Sequence, residues 1–312
     1  DFAFFRHRLS GTIEYYNKYS VDLLAAINGS PTQGFGYTTL MTNNGKMVNR
    51  GVEITLSGEI IRQKDFSWNA SLLYAFNRNK VKHISVQPSL WDSRISMPTS
   101  YPMVGKPLYG IYAYKWAGLN ENGDPQVYDA ENNVTSGPAR DYHALVYCGT
   151  TVPIHNASLT NVLRYKGFEF SAMLILDAGH KLRSSNIPSI NMSNGRITST
   201  AKGIVDRWTQ PGDVTDVPRL LFSNDTENFN THRTELYRYS DLFVYDASNI
   251  RLSNISLAYR VPAHWCKKIS LSGARLQFNV ENVATFAFDS KANYDLGGKV
   301  KPNYVWGLYL NF

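Results

Sequence analysis

At 312 residues the chain is longer than one hydrophobic core usually supports, so it is either two soluble domains or one large closed or layered sheet. Aromatic residues reach 13% and Gly and Asn are plentiful, which is a vocabulary of strands and turns. The formal charge of +7 invites an acidic partner, but the basic residues are scattered near strand ends without a basic helix or stacking motif, which argues against nucleic acid. No apolar run approaches the length of a transmembrane helix. That leaves a β-barrel open, because barrel strands carry their hydrophobicity in every second residue.

The first predicted strand covers residues 8–19, where Leu9, Gly11, Ile13 and Tyr15 alternate with Ser10, Thr12, Glu14 and Tyr16. A loop rich in Gly, Pro and Thr is expected over residues 26–46. Residues 51–60 set Val52, Ile54 and Leu56 against Glu53, Thr55 and Ser57, and residues 68–77 set Trp68, Ala70, Leu72, Tyr74 and Phe76 against Asn69, Ser71, Leu73, Ala75 and Asn77. The short polar link between them predicts an antiparallel hairpin. A long connection over residues 80–154 follows, with a hairpin-like piece around Tyr109, Tyr112, Tyr114 and Trp116 ahead of the turn at residues 120–124.

Residues 157–165 and 168–177 read as a second hairpin around Lys166-Gly167, and a further long loop runs over residues 179–247. In the sixth strand Ile250 and Leu252 share one parity while Ile255, Leu257 and Tyr259 share the other, so one extra residue near Ser253-Asn254 predicts a bulge. After a connection at residues 262–270, the seventh strand sets Ala274, Leu276, Phe278 and Val280 against Arg275, Gln277, Asn279 and Glu281. The closing strand, residues 303–312, puts Tyr304, Trp306, Leu308, Leu310 and Phe312 on one face, as the last strand of an outer-membrane barrel does.

The connections alternate long and short, and strands of about ten residues, tilted roughly 40°, span the apolar band of about 25 Å of such a barrel. Long loops would then lie outside the cell and short turns in the periplasm. Trp68, Tyr165, Phe168, Tyr259, Trp265 and Phe312 fall near the short-turn ends, and Tyr15, Tyr19, Tyr74, Phe76, Phe286 and Tyr304 near the long-loop ends, like two interfacial girdles. This topology places Cys148 and Cys266 at opposite ends of the strands, too far apart for a disulfide. The absence of an initiator Met and signal peptide reads as the later part of a longer, processed protein. The expected fold is therefore all-β, a transmembrane antiparallel β-barrel with about eight strands in this chain.

Six segments in order resemble the SusC/RagA family of TonB-dependent outer-membrane transporters. They are NRGVEI at 49–54, FSW at 66–68 with NRNKV at 77–81, VGKPLYG at 104–110, RYKGFEF at 164–170, RWTQPGD at 207–213 with Pro218-Arg219, and YDASNIRLSNISLAY at 245–259. The resemblance implies that these strands are the C-terminal part of a barrel of about 22 strands. It further implies an N-terminal plug and TonB box, absent from this sequence, and energy from the TonB complex. A SusD-like surface lipoprotein would cap the barrel, transporter and lipoprotein pairs would form a dimer, and the cargo would be oligosaccharide or oligopeptide. Two other readings are a stand-alone eight-stranded outer-membrane adhesin and a soluble carbohydrate-binding β-sandwich.

No nucleophile elbow or triad signature occurs, so an enzyme is not expected. The candidate substrate-binding residues are Tyr109, Tyr112, Tyr114, Trp116, Trp208, Asp213, Arg219 and Tyr237, loop side chains able to stack on a sugar or clamp a peptide. Asn120, Asn122 and Asp124 could offer oxygens to Ca²⁺, although their spacing is not that of an EF-hand and Asn-Gly is a common hairpin turn. No other cofactor is expected.

Overall fold

A computed structural model describes residues 1–28, 32, 34, 39–86, 93–137, 142–192, 201–222, 232–296 and 301–312. Nine strands form one sheet in which spatial order follows chain order. They are β1 (Phe2–Phe4), β2 (Leu9–Asn28), β3 (Thr39–Arg62), β4 (Phe66–His83), β5 (His155–Tyr165), β6 (Phe168–Ala178), β7 (Asn249–Arg260), β8 (Gly273–Ala287) and β9 (Asn303–Asn311). Every neighbouring pair is antiparallel. Among the described residues β1 and β9 do not pair, so the sheet is open at both edges.

All eight expected strands are present, preceded by the short β1, which the sequence did not announce. The main correction concerns residues 26–46, whose flanks are strand: β2 continues to Asn28 and β3 starts at Thr39. Alternation failed as a guide there because the register shifts between Ser20 and Leu23 and again at Leu24, with Asp22 at φ +54°. The middle of that expected loop, residues 29–31, 33 and 35–38, lies outside the described residues. The strands of the first hairpins also exceed the expected ten residues, with 20 in β2, 24 in β3 and 18 in β4. The connection after β7 holds a short helix, Ala263–Lys267.

The expected bulge is present. Ser253 falls out of register between Leu252 and Asn254 against both β6 and β8. On β8 the disruption coincides with Asn282, at φ +53°. The tight turn joining β5 and β6 places Lys166 at φ +50°, the left-handed conformation that a two-residue hairpin demands.

Register joins the strands into two chemically distinct faces. Directly opposed residues share a face, so Leu163, Phe170, Leu257, Phe278 and Trp306 form one row across β5 to β9. A parallel row runs through Tyr165, Phe168, Tyr259, Leu276 and Leu308. Across the longer strands β2 to β4, Ile13, Ile54 and Tyr74 continue that face. The opposite face carries Thr12, Thr55, Ser57, Ser71, Thr160, Asn254, Gln277 and Asn279. A charged row lies on it too, with Glu169 accepting from Arg164 at 2.7 Å and Arg275 at 3.2 Å.

The apolar face is uncovered. Trp306 is 78% and Phe312 92% exposed, and Ile13, Tyr165, Phe168, Leu257 and Leu276 are also open. No second sheet covers it among the described residues, as a soluble sandwich would require. Most buried apolar side chains instead belong to the two long loops. Such an inversion suits strands solvated by lipid, beneath loops that form their own compact packing. Cys148 and Cys266 are both free thiols, as expected from their separation.

A lysine on the two faces separates lipid from lumen. Leu174 lies between Leu159 and Leu252 on the apolar face, whereas Met173 lies between Thr160 and Asn254 on the polar one. Leu174→Lys is expected to destabilise the folded barrel by about 2–4 kcal/mol in a urea titration in lipid. Met173→Lys should leave the midpoint nearly unchanged.

Candidate functional site

Above the loop-bearing end of the sheet, the described parts of residues 84–154 and 179–248 fold against each other. The strand Gly110–Tyr114 pairs with Leu145–Thr150, and Trp116–Leu119 pairs with Pro125–Tyr128 around the turn at residues 120–124. The local hairpin was legible in the sequence, but the pairing of Gly110–Tyr114 was not. Tyr112 and Tyr114 lie buried with Val127, Leu145 and Leu236, and Tyr237 lies buried with Ile190 and Phe243. These three tyrosines are between 0% and 2% exposed, so their rings build the loop core. Burial raises the Tyr112 and Tyr237 hydroxyl pKa values above the usual range.

Several polar contacts lock the two loops together. Tyr114 N donates to Tyr239 O at 3.0 Å, and Trp116 N donates to Asp241 Oδ1 at 3.0 Å. Arg183 reaches Tyr112 O at 2.7 Å and Ser240 O at 3.2 Å while its guanidinium stacks over Tyr239. Beside it, Lys181 pairs with Asp246 at 3.0 Å. Burial alone would raise the Asp246 carboxyl, but the Ser248 hydroxyl and amide and Lys181 together bring it down to about 2. Burial, reinforced by Asp241, pushes the Cys148 thiol up to about 11, which disfavours its thiolate form.

Asp124 is the electrostatic centre of this assembly. Its carboxylate accepts from Arg219 Nε at 3.2 Å and Nη2 at 2.8 Å, and from Arg233 Nε at 3.1 Å. Arg233 is 1% exposed and spends its remaining donors on Ile190 O, Asn191 Oδ1 and Arg219 O. Burial lowers the Arg233 pKa and the neighbouring Asp124 opposes that, the pattern of a guanidinium kept charged by its partner. Asn120 Oδ1 accepts from the amides of Asn122 and Asp124, each at 2.9 Å, which makes residues 120–124 a side-chain-braced turn. The oxygens considered for Ca²⁺ at Asn120 and Asp124 are thus engaged by protein donors.

Gly123, at φ +72°, lies against the indole of Trp208; a Cβ there would collide with the ring. Trp208 N donates to Val217 O at 2.8 Å, and Asp213 Oδ2 accepts from Thr209 N and Oγ1, each at 2.8 Å, and from Gln210 N at 3.0 Å. These bonds, the Thr209 amide first, hold the Asp213 carboxyl below its ordinary pKa. Between the Asn120 turn and the Trp208 turn lies an open cleft of about 780 Å³, lined by Leu119, Asn120, Glu121, Asn122, Trp208, Pro211, Gly212, Asp213, Val214 and Thr215.

The structure thus brings Trp208 and Asp213 to this cleft beside Asn120 and Asn122, with Asp124 and Arg219 bracing it from behind. Trp116 donates from Nε1 to Asp216 at 2.9 Å on its flank. Tyr109 is half exposed and outside the cleft. Arg233 and Arg183 were not singled out from the sequence, because a buried arginine in a loop carries no local signal. The Pro-Gly at residues 211–212 was a readable turn, though not its position opposite Asn120.

Residues 2–283 match the family described as TonB dependent receptor-like, beta-barrel. The chain is 25% identical to TonB-dependent receptor P3 of Formosa agariphila, over 99% of this chain and 31% of that protein. It is 24% identical to TonB-dependent receptor SusC of Bacteroides thetaiotaomicron, over 90% of this chain and 27% of that one. Among solved structures it superposes on a chain of the RagAB peptide transporter with a TM-score of 0.72 at 22% identity, covering 99% of this chain and 34% of that chain. The chain therefore spans about a third of the length of these relatives.

Asp124→Asn removes the counter-charge of a buried guanidinium and should weaken loop docking by about 3 kcal/mol. Limited proteolysis of the receptor in detergent reads this as faster cleavage within the two loops, with the barrel band unchanged on a gel.

Proposed function

We propose that this chain, which belongs to the TonB-dependent receptor β-barrel family, forms the C-terminal wall of an outer-membrane importer of oligosaccharides or oligopeptides. Members of the family are outer-membrane receptors and transporters rather than enzymes. In this reading the open sheet closes with further strands into a barrel of about 22 around a plug, and the TonB complex supplies the energy. A SusD-like lipoprotein caps the loops, and two such pairs form a dimer. The similarity to SusC and to the RagAB transporter supports the lipoprotein partner, and the RagAB peptide transporter supports the peptide class of cargo.

The observation that carries the binding role is the open cleft beside Trp208. It combines an indole face with amide, carboxylate and hydroxyl groups on two rigid turns, a surface able to stack on a pyranose ring or a peptide side chain while hydrogen-bonding its polar edge. The Asp124 ion pairs fix the distance between the turns, so the cleft is shaped before cargo arrives. Polar residues facing away from lipid continue below it along the sheet. Tyr112, Tyr114 and Tyr237 serve by holding the loop core, and Asp213 and Arg219 by bracing the turns.

Isothermal titration of the whole receptor with maltooligosaccharides and with a mixed oligopeptide library tests this. Trp208→Ala should weaken binding of the cognate class about five- to tenfold without altering barrel assembly. Tyr112→Ala should weaken it only together with loosened loops. An unchanged affinity in Trp208→Ala would remove the cleft from the cargo path.

A further inference from the structure

A second site lies at the loop end of the sheet, on the side of the apolar face. Past its last pairing with β5, where His155 lies opposite Phe76, β4 runs on to His83. Loop backbone takes over the freed edge: Asn77 N donates to Ile154 O at 3.0 Å, Val81 N to Lys106 O at 2.9 Å, and Gly105 N to Val81 O at 2.9 Å. The resulting notch, about 590 Å³, is lined by Arg50, Arg78, Lys80, Lys82 and Lys106, and no carboxylate lines it. Lys106 stands 4.7 Å over the Tyr147 ring, which forms one wall.

Register fixes which way this notch looks. Val52 opposite Phe76 continues the apolar face, and the next rows on the same face are Arg50 opposite Arg78 and Val48 opposite Lys80. Cations therefore begin one row beyond the lipid-facing residues. Two arginines directly opposed across an antiparallel pair repel each other unless an anion lies between them. Among the described residues none of these five cations forms an ion pair; Arg50 donates only to Asn17 Oδ1, at 3.1 Å. An ordinary solvated basic face would not be walled by an aromatic ring and loop backbone, nor continuous with an apolar surface.

We propose that this notch binds the phosphate groups of an outer-leaflet lipid headgroup, whose acyl chains lie along Val52, Ile54, Tyr74 and Phe76. The arginines supply planar donor pairs to phosphate oxygens and the lysines supply point charges, while the apolar rows below receive the chains. An amphiphile satisfies both halves of the site; a soluble anion would use only the upper half. The site is independent of the cleft beside Trp208, so its ligand does not depend on the cargo.

The test uses the full receptor in detergent, examined by native mass spectrometry with lipid A as the probe in phosphorylated and dephosphorylated forms. Phosphorylated lipid A should bind the unmodified receptor and bind R78Q/K80Q/K82Q at least about tenfold more weakly. Dephosphorylated lipid A should bind both receptors as weakly as the phosphorylated lipid binds the variant. K166Q/K267Q, at the opposite end of the strands, should bind like the unmodified receptor. If the triple variant does not assemble, Lys80→Gln alone should give a smaller loss of about threefold. Equal binding of the two lipid forms, or an unaltered triple variant, would overturn the proposal. Displacement of lipid A by inorganic phosphate at equal concentration would assign the notch to a soluble anion and overturn the lipid as its occupant.

Discussion

The structure depends on one constraint: in a medium without water, backbone groups must pair within the sheet, and side chains must divide between lipid and lumen at every second residue. Each strand from β3 to β8 meets that constraint with an antiparallel neighbour on both sides. Apolar rows such as Leu163, Phe170, Leu257, Phe278 and Trp306 therefore run unbroken from β5 to β9. The bulge at Ser253 serves the same end, since without the extra residue half of β7 would present its polar side chains to lipid.

Because the sheet spends its apolar side chains on lipid, the loops must find their own core. They do so with tyrosines, packed as Tyr112, Tyr114 and Tyr237, and with the buried charge of Arg233 set against Asp124. Asp124 also holds Arg219, so one carboxylate connects the 120–124 turn to the segment that carries Trp208. The loops thus act as a rigid layer, and both the cleft beside Trp208 and the basic notch beside Tyr147 are positioned by that layer against the end of the sheet.

What the sequence made legible follows from the same physics. Period-two alternation revealed β5, β6 and β9 nearly to their ends, and a parity break revealed the bulge in β7; β8 runs on to Ala287, into the loop expected from Ala284, beyond the register shift at Asn282. Alternation fails where the register shifts, which hid the strand extensions around Asp22, and in β1, which is too short to show a period. In the loops, the turn at Asn120 was readable because its chemistry is local. The partners of Asp124 were not, since Arg219 and Arg233 lie far along the chain and only folding brings them to one carboxylate. Aromatic content alone could not separate a ring in the loop core, such as Tyr114, from one beside a cleft, such as Trp208.

The central claim is that this sheet is one stretch of a larger barrel wall. The structure of the intact receptor in a lipid nanodisc tests it most directly, through the partner of β9. The account predicts that the free edge of β9 pairs with a strand outside this chain while Tyr304, Trp306 and Leu308 face lipid. Pairing of β9 with β1 or β2 of the same chain, closing a small barrel, would contradict it.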